Sequence, residues 1–403
     1  MSRVVLLTVF GNDKPGITAA LTGELSRHEV RILDMGQSVI HNALSLGMLL
    51  HIPETSENNP ILKDLLFKGH ELGLTVKFDP VSIDEYNEWV AGGGRDRLVV
   101  TILGEFITAR QISVISNAIT NNGLNIASIT RLTGRIPLNS TNAGGKSCIE
   151  MLLRGKPIDI DRLRCELMEA SSECGVDVAF QQDNIYRRNR RLVVFDMDST
   201  LIQCEVIDEL AKEAGVESAV SDITKKAMMG ELDFNESLRT RLSYLKGLKV
   251  SVLEKIALRL PLTDGVERLM INLKKMGYKT AILSGGFTYF GNYLRDKLGF
   301  DYVFANQLEI KDGCLTGNVL GEIVNAQKKA DYLKEIAQRE NIMLEQSIAV
   351  GDGANDLPML HTAGLGIAFH AKPLVRQNAK QSISKFGLDG ILYLLGFSDR
   401  EMI

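Results

Sequence analysis

Leu192-Val193-Val194-Phe195-Asp196-Met197-Asp198-Ser199-Thr200 is the stretch on which the reading of this chain turns. Four apolar residues in a row make a short buried strand, and an acid ends it. Two carboxylates then follow the strand into a loop, where both can turn toward one pocket. Further strands are expected at Tyr278 to Ser284, Tyr302 to Ala305 and Ser347 to Asp352, with long helical stretches between them. Continuous apolar strands joined by helical crossovers predict an α/β fold with a parallel sheet covered on both faces. Sites in such sheets gather at the carboxyl ends of the strands, so chemistry is expected at Asp196, Ser284 and Asp352.

Asp196 and Asp198, with Asp352 and Asp356 of Gly351-Asp352-Gly353-Ala354-Asn355-Asp356, supply hard oxygen donors of the kind that suit Mg²⁺. Ser284-Gly285-Gly286-Phe287 sets a hydroxyl beside backbone N–H groups at an expected helix start, which favours an anion. Lys329, in Gln327-Lys328-Lys329-Ala330, offers a point charge to a phosphate. Taken singly, each has a plainer reading: a helix N-cap for the acids, a turn for Ser-Gly-Gly, a surface position for Lys329. The order carries the argument: acid pair, hydroxyl, lysine, second acid cluster.

That order resembles the haloacid dehalogenase superfamily of phosphotransferases. Asp196, Asp198 and Thr200 match D-x-D-x-T; Ser284, Lys329, and Gly351-Asp352 with Asp356 match its later motifs. Leu201-Ile202, Glu205, Met228, Phe234, Arg241 and Leu283 to Phe287 extend the match toward members that hydrolyse O-phospho-L-serine to L-serine, the last step of serine biosynthesis. The resemblance covers residues 192–403 and implies a Rossmann-like core with a small helical cap at about 203–263. It implies Asp196 as nucleophile, through an aspartyl-phosphate, and Asp198 as general acid and base. It implies Mg²⁺ on Asp196, the Asp198 backbone carbonyl and Asp352, with Asp356 behind the metal. Ser284, Gly285 and Lys329 would hold the phosphoryl group. Glu205 would meet the substrate ammonium and Arg241 its carboxylate. Met228 and Phe234 would close an apolar lid, and Asn355 would add a substrate contact. Taken alone, Glu205 and Arg241 read as solvated helix residues, and their agreement with the family pattern at both positions reverses that reading. They do not fix the length of the substrate, so phosphohomoserine stays open beside phosphoserine. An amino-acid sensor on an inactive phosphatase fold is opposed by the intact acid, serine and lysine set.

The first half of the chain contains a repeat. The order βαββαβ runs from Arg3 to Phe78 and returns from Arg97 to Phe180, a shift of about 94 residues. Two such units predict two small antiparallel sheets with helices on one face. They resemble tandem ACT domains, amino-acid-sensing modules, which implies an L-serine effector and a homodimer. Asn12-Asp13-Lys14-Pro15-Gly16 matches the D-x-P-G pattern of ligand-binding ACT domains, with Asp13 and Gly16 as candidate ligand contacts. A helix N-cap is the alternative. The second copy has Ile107, Thr108, Ala109 and Arg110 at the shifted positions. The expected domains are 1–80, 97–182 and 192–403. Residues 81–96, with Gly92-Gly93-Gly94 and Trp89, are expected as a linker. Residues 183–191 form a basic linker whose arginines read either as a solvated face or as a nucleic-acid patch.

Composition narrows the classes. The 403 residues are 45% hydrophobic and 24% charged, with a formal net charge of −4, so there is no global attraction to nucleic acid or anionic lipid. Five scattered cysteines show no C-x-x-C spacing, and the histidines show no zinc spacing. No apolar run reaches the roughly 18 residues of a membrane span, and the amino terminus does not read as an export signal, so a cytoplasmic protein is expected. Gly144-Gly145-Lys146-Ser147 resembles a phosphate-binding loop in part, but Ser140 stands where the motif needs glycine and a strand follows, so it reads as a hairpin loop.

Overall fold

The structure is a computed structural model and describes residues 3–53, 61–92, 97–135, 137, 145–228 and 232–403. Two compact units divide the chain, Met1–Arg95 and Asp96–Ile403.

In the first unit β1 (Arg3–Asn12), β2 (Arg31–Ile40), β3 (Ala43–Ile52) and β4 (Thr75–Val81) form an antiparallel sheet in the order β2-β3-β1-β4. Period-two alternation in β1 sends Val5, Leu7 and Val9 into a core with Ile17, Leu21 and Leu65. Those partners lie on α1 (Ile17–Ser26) and α2 (Ile61–Glu71). The expected linker instead contains α3 (Ile83–Gly92). Its start is a capping box: the Glu85 N–H donates to Ser82 Oγ at 3.1 Å and the Ser82 N–H to Glu85 Oε2 at 2.8 Å. The rest of the glycine run, Gly93 and Gly94, lies outside the described residues.

The second unit begins with the same topology: β5 (Leu98–Gly104), α4 (Ala109–Asn121), β6 (Asn125–Arg131), β7 (Ser147–Arg154), α5 (Ile160–Cys174) and β8 (Asp177–Gln182), in the sheet order β6-β7-β5-β8. Here α4 has the cap that α1 lacks. Thr108 and Gln111 form a capping box, whereas Gly16 gives α1 no side-chain cap.

The α/β domain follows. Its sheet contains β9 (Leu192–Phe195), β10 (Lys279–Phe287), β11 (Tyr302–Lys311), β12 (Cys314–Leu320), β13 (Ser347–Gly351), β14 (Leu365–Phe369) and β15 (Gln381–Ile383). The order is β12-β11-β10-β9-β13-β14-β15, parallel except for the β11–β12 hairpin. Alternate residues feed two cores. Val193, Phe195 and Ile282 enter one, and Leu192, Val194 and Ala281 the other, which explains why the strands read as unbroken apolar runs. Four helices, α6 (Val206–Ala214), α7 (Glu217–Met228), α8 (Phe234–Ser243) and α9 (Ser251–Arg259), form the insertion after β9. The remaining helices are α10 (Val266–Lys275), α11 (Thr288–Leu298), α12 (Ala326–Arg339), α13 (Leu357–Thr362), α14 (Pro373–Asn378) and α15 (Gly390–Leu394).

Within this unit the second βαββαβ domain is bonded to the α/β domain. Gln381 reaches across from β15 to the Phe180 backbone, accepting its N–H at 2.8 Å and donating to its carbonyl. The Asp177 carboxylate accepts the N–H groups of Ser384, Lys385 and Phe386 at 2.7, 2.8 and 3.1 Å. The arginine run is not a fully solvated face. Arg187 is buried, pairs with Glu150 and donates to the Leu394 carbonyl at 3.3 Å. Arg188 donates to Gly396 O at 3.4 Å and Arg190 to Glu345 O at 2.5 Å. Leu394 and Gly396 are buried, their carbonyls need donors, and Arg187 and Arg188 supply them. Among the described residues no helix is long and apolar enough to cross a membrane.

Candidate active site

Sheet order brings the expected residues together. Phe195 of β9 pairs with Ile282 of β10 and with Val350 of β13, so Asp196, Ser284 and Asp352 lie together toward the carboxyl ends of the three central strands. The Asp196 N–H continues the ladder to Val350 O at 2.9 Å, and the loop then folds back, with the Leu201 N–H on Met197 O at 2.9 Å.

Buried Lys329 lies between two acids, 2.8 Å from Asp196 Oδ1 and 2.7 Å from Asp356 Oδ1. Asp356 Oδ2 also accepts the Gly353 N–H at 3.0 Å. Thr200 Oγ1 donates to Asp352 Oδ1 at 3.3 Å. One carboxylate oxygen from each of Asp196, Asp352 and Asp356 lies within 4.8 Å of the others. Burial, then the charge of Asp356, pushes the Asp196 carboxyl up while Lys329 pulls it down. Burial, Asp356 and Glu205 push Asp352 up to about 7. Asp198 is raised well above the usual range by burial, then by Glu205 and Asp196. Buried acids that repel one another in this way, with oxygen donors convergent, fit a divalent cation: its charge removes the repulsion.

Ser284 is fully buried and its Oγ accepts the Gly286 N–H at 2.8 Å. The expected helix start after Ser284 is displaced. The bulged end of β10 runs through the glycines and α11 begins at Thr288. At Gly286 a Cβ would overlap Asp198 Oδ2, so glycine permits the close approach of that acid.

From the insertion, the Phe234 ring covers Gly285, where a Cβ would stand 3.0 Å from Phe234 Cζ. Glu205 precedes α6, is exposed, and accepts from Ser199 Oγ at 2.9 Å. Arg241 on α8 is half-buried and donates to Ser237 O at 3.4 Å. Among the described residues no carboxylate reaches within 4.0 Å of it; burial pulls its guanidinium below the usual range, partly offset by the charges of Asp208, Glu205 and Asp198. The backbone of Met228 ends α7, but its side chain lies outside the described residues. Asn355 is half-buried in the turn Ala354–Asp356. Asp13 and Gly16 belong to the first unit and are exposed there.

Two residues were not singled out by the sequence reading. Ser199 has φ +57° and aims its hydroxyl at Glu205. Asn306, buried on β11, donates to Gly285 O at 2.7 Å and accepts the Val324 N–H at 2.9 Å, fixing the glycine turn. Asparagine beyond the expected end of a strand gave no local signal. Ser199 lay inside the quoted motif but between its matched positions.

The fold and site define a haloacid dehalogenase-like hydrolase preceded by two ACT domains. The hydrolase model matches residues 190–364, and ACT models match residues 3–79 and 97–181. The chain is 39% identical to a phosphoserine phosphatase of Streptomyces coelicolor over 398 residues, covering 99% of this chain and 93% of that one. It is 37% identical to one of Mycobacterium tuberculosis over 399 residues, covering 99% and 94%. A solved structure of a probable phosphoserine phosphatase from Vibrio cholerae, unliganded, shares 38% identity with a TM-score of 0.60 over 74% of this chain and 86% of that chain. The chain belongs to the phosphoserine phosphatase family.

Proposed function

We propose that the chain hydrolyses O-phospho-L-serine to L-serine and phosphate with Mg²⁺, at the end of serine biosynthesis. The observation that carries the reading is a buried Asp196–Lys329–Asp356 cluster, together with a half-buried Arg241 on the insertion that feels the charges of Glu205 and Asp198 and has no carboxylate partner among the described residues.

Asp196 attacks phosphorus and becomes an aspartyl-phosphate, splitting one displacement into two. Asp198, raised by its surroundings, gives its proton to the leaving serine oxygen and then takes one from the attacking water. Ser284, the Gly285 backbone and Lys329 hold the phosphoryl oxygens, where positioning and charge supply most of the rate. Asp196, the Asp198 carbonyl and Asp352 would hold Mg²⁺, which would supply Lewis-acid polarisation of a phosphoryl oxygen. Both Asp356 oxygens already accept, from Lys329 and Gly353, which supports a supporting place behind the metal. Arg241 takes the substrate carboxylate and Glu205 the ammonium. Phe234, with Met228, shuts out water, and Asn355 adds a substrate contact.

L-serine is also proposed as effector at the first ACT domain. Gly16 has φ +92° and α1 has no side-chain cap, leaving backbone N–H groups for a carboxylate, with the Asp13 carboxylate exposed beside them. The domain limits proposed are 1–80, 97–182 and 192–403, in a cytoplasmic homodimer paired through ACT domains, on the strength of the family resemblance.

Phosphate release from a panel of phosphoamino acids, with Mg²⁺ and with EDTA, tests the reaction. Phosphoserine should lead the panel and EDTA should abolish turnover. Preference for another phosphoester, or full activity in EDTA, would overturn the reading. Inhibition by L-serine that is purely competitive with phosphoserine would remove the effector site.

A further inference from the structure

Lys146, from the partial phosphate-loop sequence, stands directly before β7 and finds its partners in the α/β domain. Its Nζ donates to the two Asp389 carboxylate oxygens at 2.9 and 3.1 Å and to Asp264 Oδ2 at 3.2 Å. Asp389 is 1% exposed and also takes Arg268, in the first turn of α10, at 3.0 Å. The Asp264 carboxylate is largely exposed, so that arm of the contact contributes little; the Asp389 arm is sheltered.

Asp264 lies where the insertion returns to the core. The chain enters the cap after Ile202 and comes back at Leu262, and the two crossings are tied together. The Gln203 N–H donates to Pro261 O at 2.9 Å, and the Thr263 N–H to Leu201 O at 3.0 Å. Next along the return, Asp264 O accepts the Leu388 N–H at 2.8 Å. Gly265, with φ +78°, has no room for a Cβ because the Asp389 carboxylate occupies that space. The return crossing is therefore packed on the segment that bears Asp389, and Lys146 brings a cation to this joint from the second ACT domain. The same end of that domain makes another attachment: the Gly134 N–H donates to Asp399 Oδ2 at 2.6 Å, and Asp399 Oδ1 takes Arg268 at 2.8 Å.

We propose that Lys146 is a positioning residue for the cap. Through Asp389 and Asp264 it fixes the return crossing, and so the placement of Glu205 and Arg241 over Asp196. The second ACT domain is thus part of the frame in which substrate is read, which rests on the proposed role of the cap.

The test compares Lys146→Met with Lys146→Arg. Lys146→Met should raise KM for phosphoserine about threefold to tenfold, the scale of one lost hydrogen-bonding contact. Its kcat/KM on p-nitrophenyl phosphate, which has no ammonium or carboxylate, should stay near wild type. Lys146→Arg should restore the phosphoserine KM. Amide hydrogen exchange at Gln203 and Thr263 should quicken in Lys146→Met alone. Equal losses on both substrates, no rescue by arginine, or unchanged exchange at both amides would overturn the proposal. If Lys146→Met does not fold, Lys146→Gln takes its place. If the wild type fails to hydrolyse phosphoserine, the functional reading falls by itself, and exchange at the two amides still decides whether Lys146 fixes the crossing.

Discussion

The α/β core and the cap converge on one site but hold their polar groups in opposite ways. In the core, Lys329 bridges Asp196 and Asp356, Thr200 holds Asp352, and Ser284 accepts from Gly286. In the cap, among the described residues, Glu205 has one hydroxyl partner and Arg241 one long bond to a carbonyl of its own helix. A network bonded within itself is already arranged for charge that develops during reaction. Groups with few partners are available to a ligand, and a ligand lacking the complementary group leaves them unsatisfied. The difference separates reaction from recognition. Substitutions on the two sides should therefore fail differently.

The largest effect is expected from Asp196→Asn, because a neutral amide does not attack phosphorus as the carboxylate does. Turnover should vanish on phosphoserine and on p-nitrophenyl phosphate alike, as read by phosphate release. Near-normal kcat on either substrate would break the assignment of reaction to the core. Asp198→Asn comes next, with kcat down by about 10²–10⁴-fold on phosphoserine, the usual contribution of a positioned proton carrier. On a substrate with a good leaving group the first half-reaction should suffer less, since less protonation is needed there. A pre-steady-state burst of leaving group in this variant would sharpen the role, and unchanged kcat would end it.

The same contrast governs what the sequence could reveal. The core site was legible because Asp196 and Asp352 follow strand ends and Ser284 follows the regularly paired part of β10, and adjacent strands then bring the three together. Glu205 stands before α6 and Arg241 on α8, with no spacing that links them, so only the family resemblance singled them out. The helix α3 within residues 81–96 was not foreseen because its signal is the Ser82–Glu85 capping box, which the neighbouring glycine run obscures. The hairpin after Ala305 had its own signal in Asp312-Gly313, both at positive φ, a pairing that suits a tight turn. The arginine run needed long-range knowledge: its acceptors at Glu345, Leu394 and Gly396 lie far along the chain. No charge pattern within 183–191 could indicate them.

On the recognition side, Arg241→Ala should cost about 10–100-fold in kcat/KM for phosphoserine, the range of a lost charge-assisted bond. The loss on p-nitrophenyl phosphate should be severalfold smaller. Both kcat and KM can change, because remote contacts help to place the phosphoryl group. Equal losses on the two substrates would make Arg241 a support of α8 and would erase the distinction between core and cap.

The smallest effect, and the sharpest division between the two sides, is expected at Ser199. This residue sits in the core motif but serves the cap: its hydroxyl donates to Glu205 Oε1 at 2.9 Å, and Glu205 makes no cap bond to α6. Its φ of +57° is one that side chains with a Cβ adopt at a cost, which glycine avoids. Ser199→Gly therefore removes the hydroxyl and relieves the backbone together. The relief is offset by the greater freedom of the unfolded chain, so the melting temperature should move little. Losing one hydrogen bond that orients Glu205 should raise KM for phosphoserine about twofold to tenfold. Activity on p-nitrophenyl phosphate, which has no ammonium for Glu205 to meet, should hold. Ser199→Ala, which keeps both the Cβ and the strained conformation of the wild type, should show the same kinetics with a melting temperature near wild type. If Ser199→Gly instead lowers kcat equally on both substrates, the hydroxyl or the stiffness of its turn serves Asp196 and Asp198 directly. The boundary between reaction and recognition would then lie on the far side of Glu205, inside the cap.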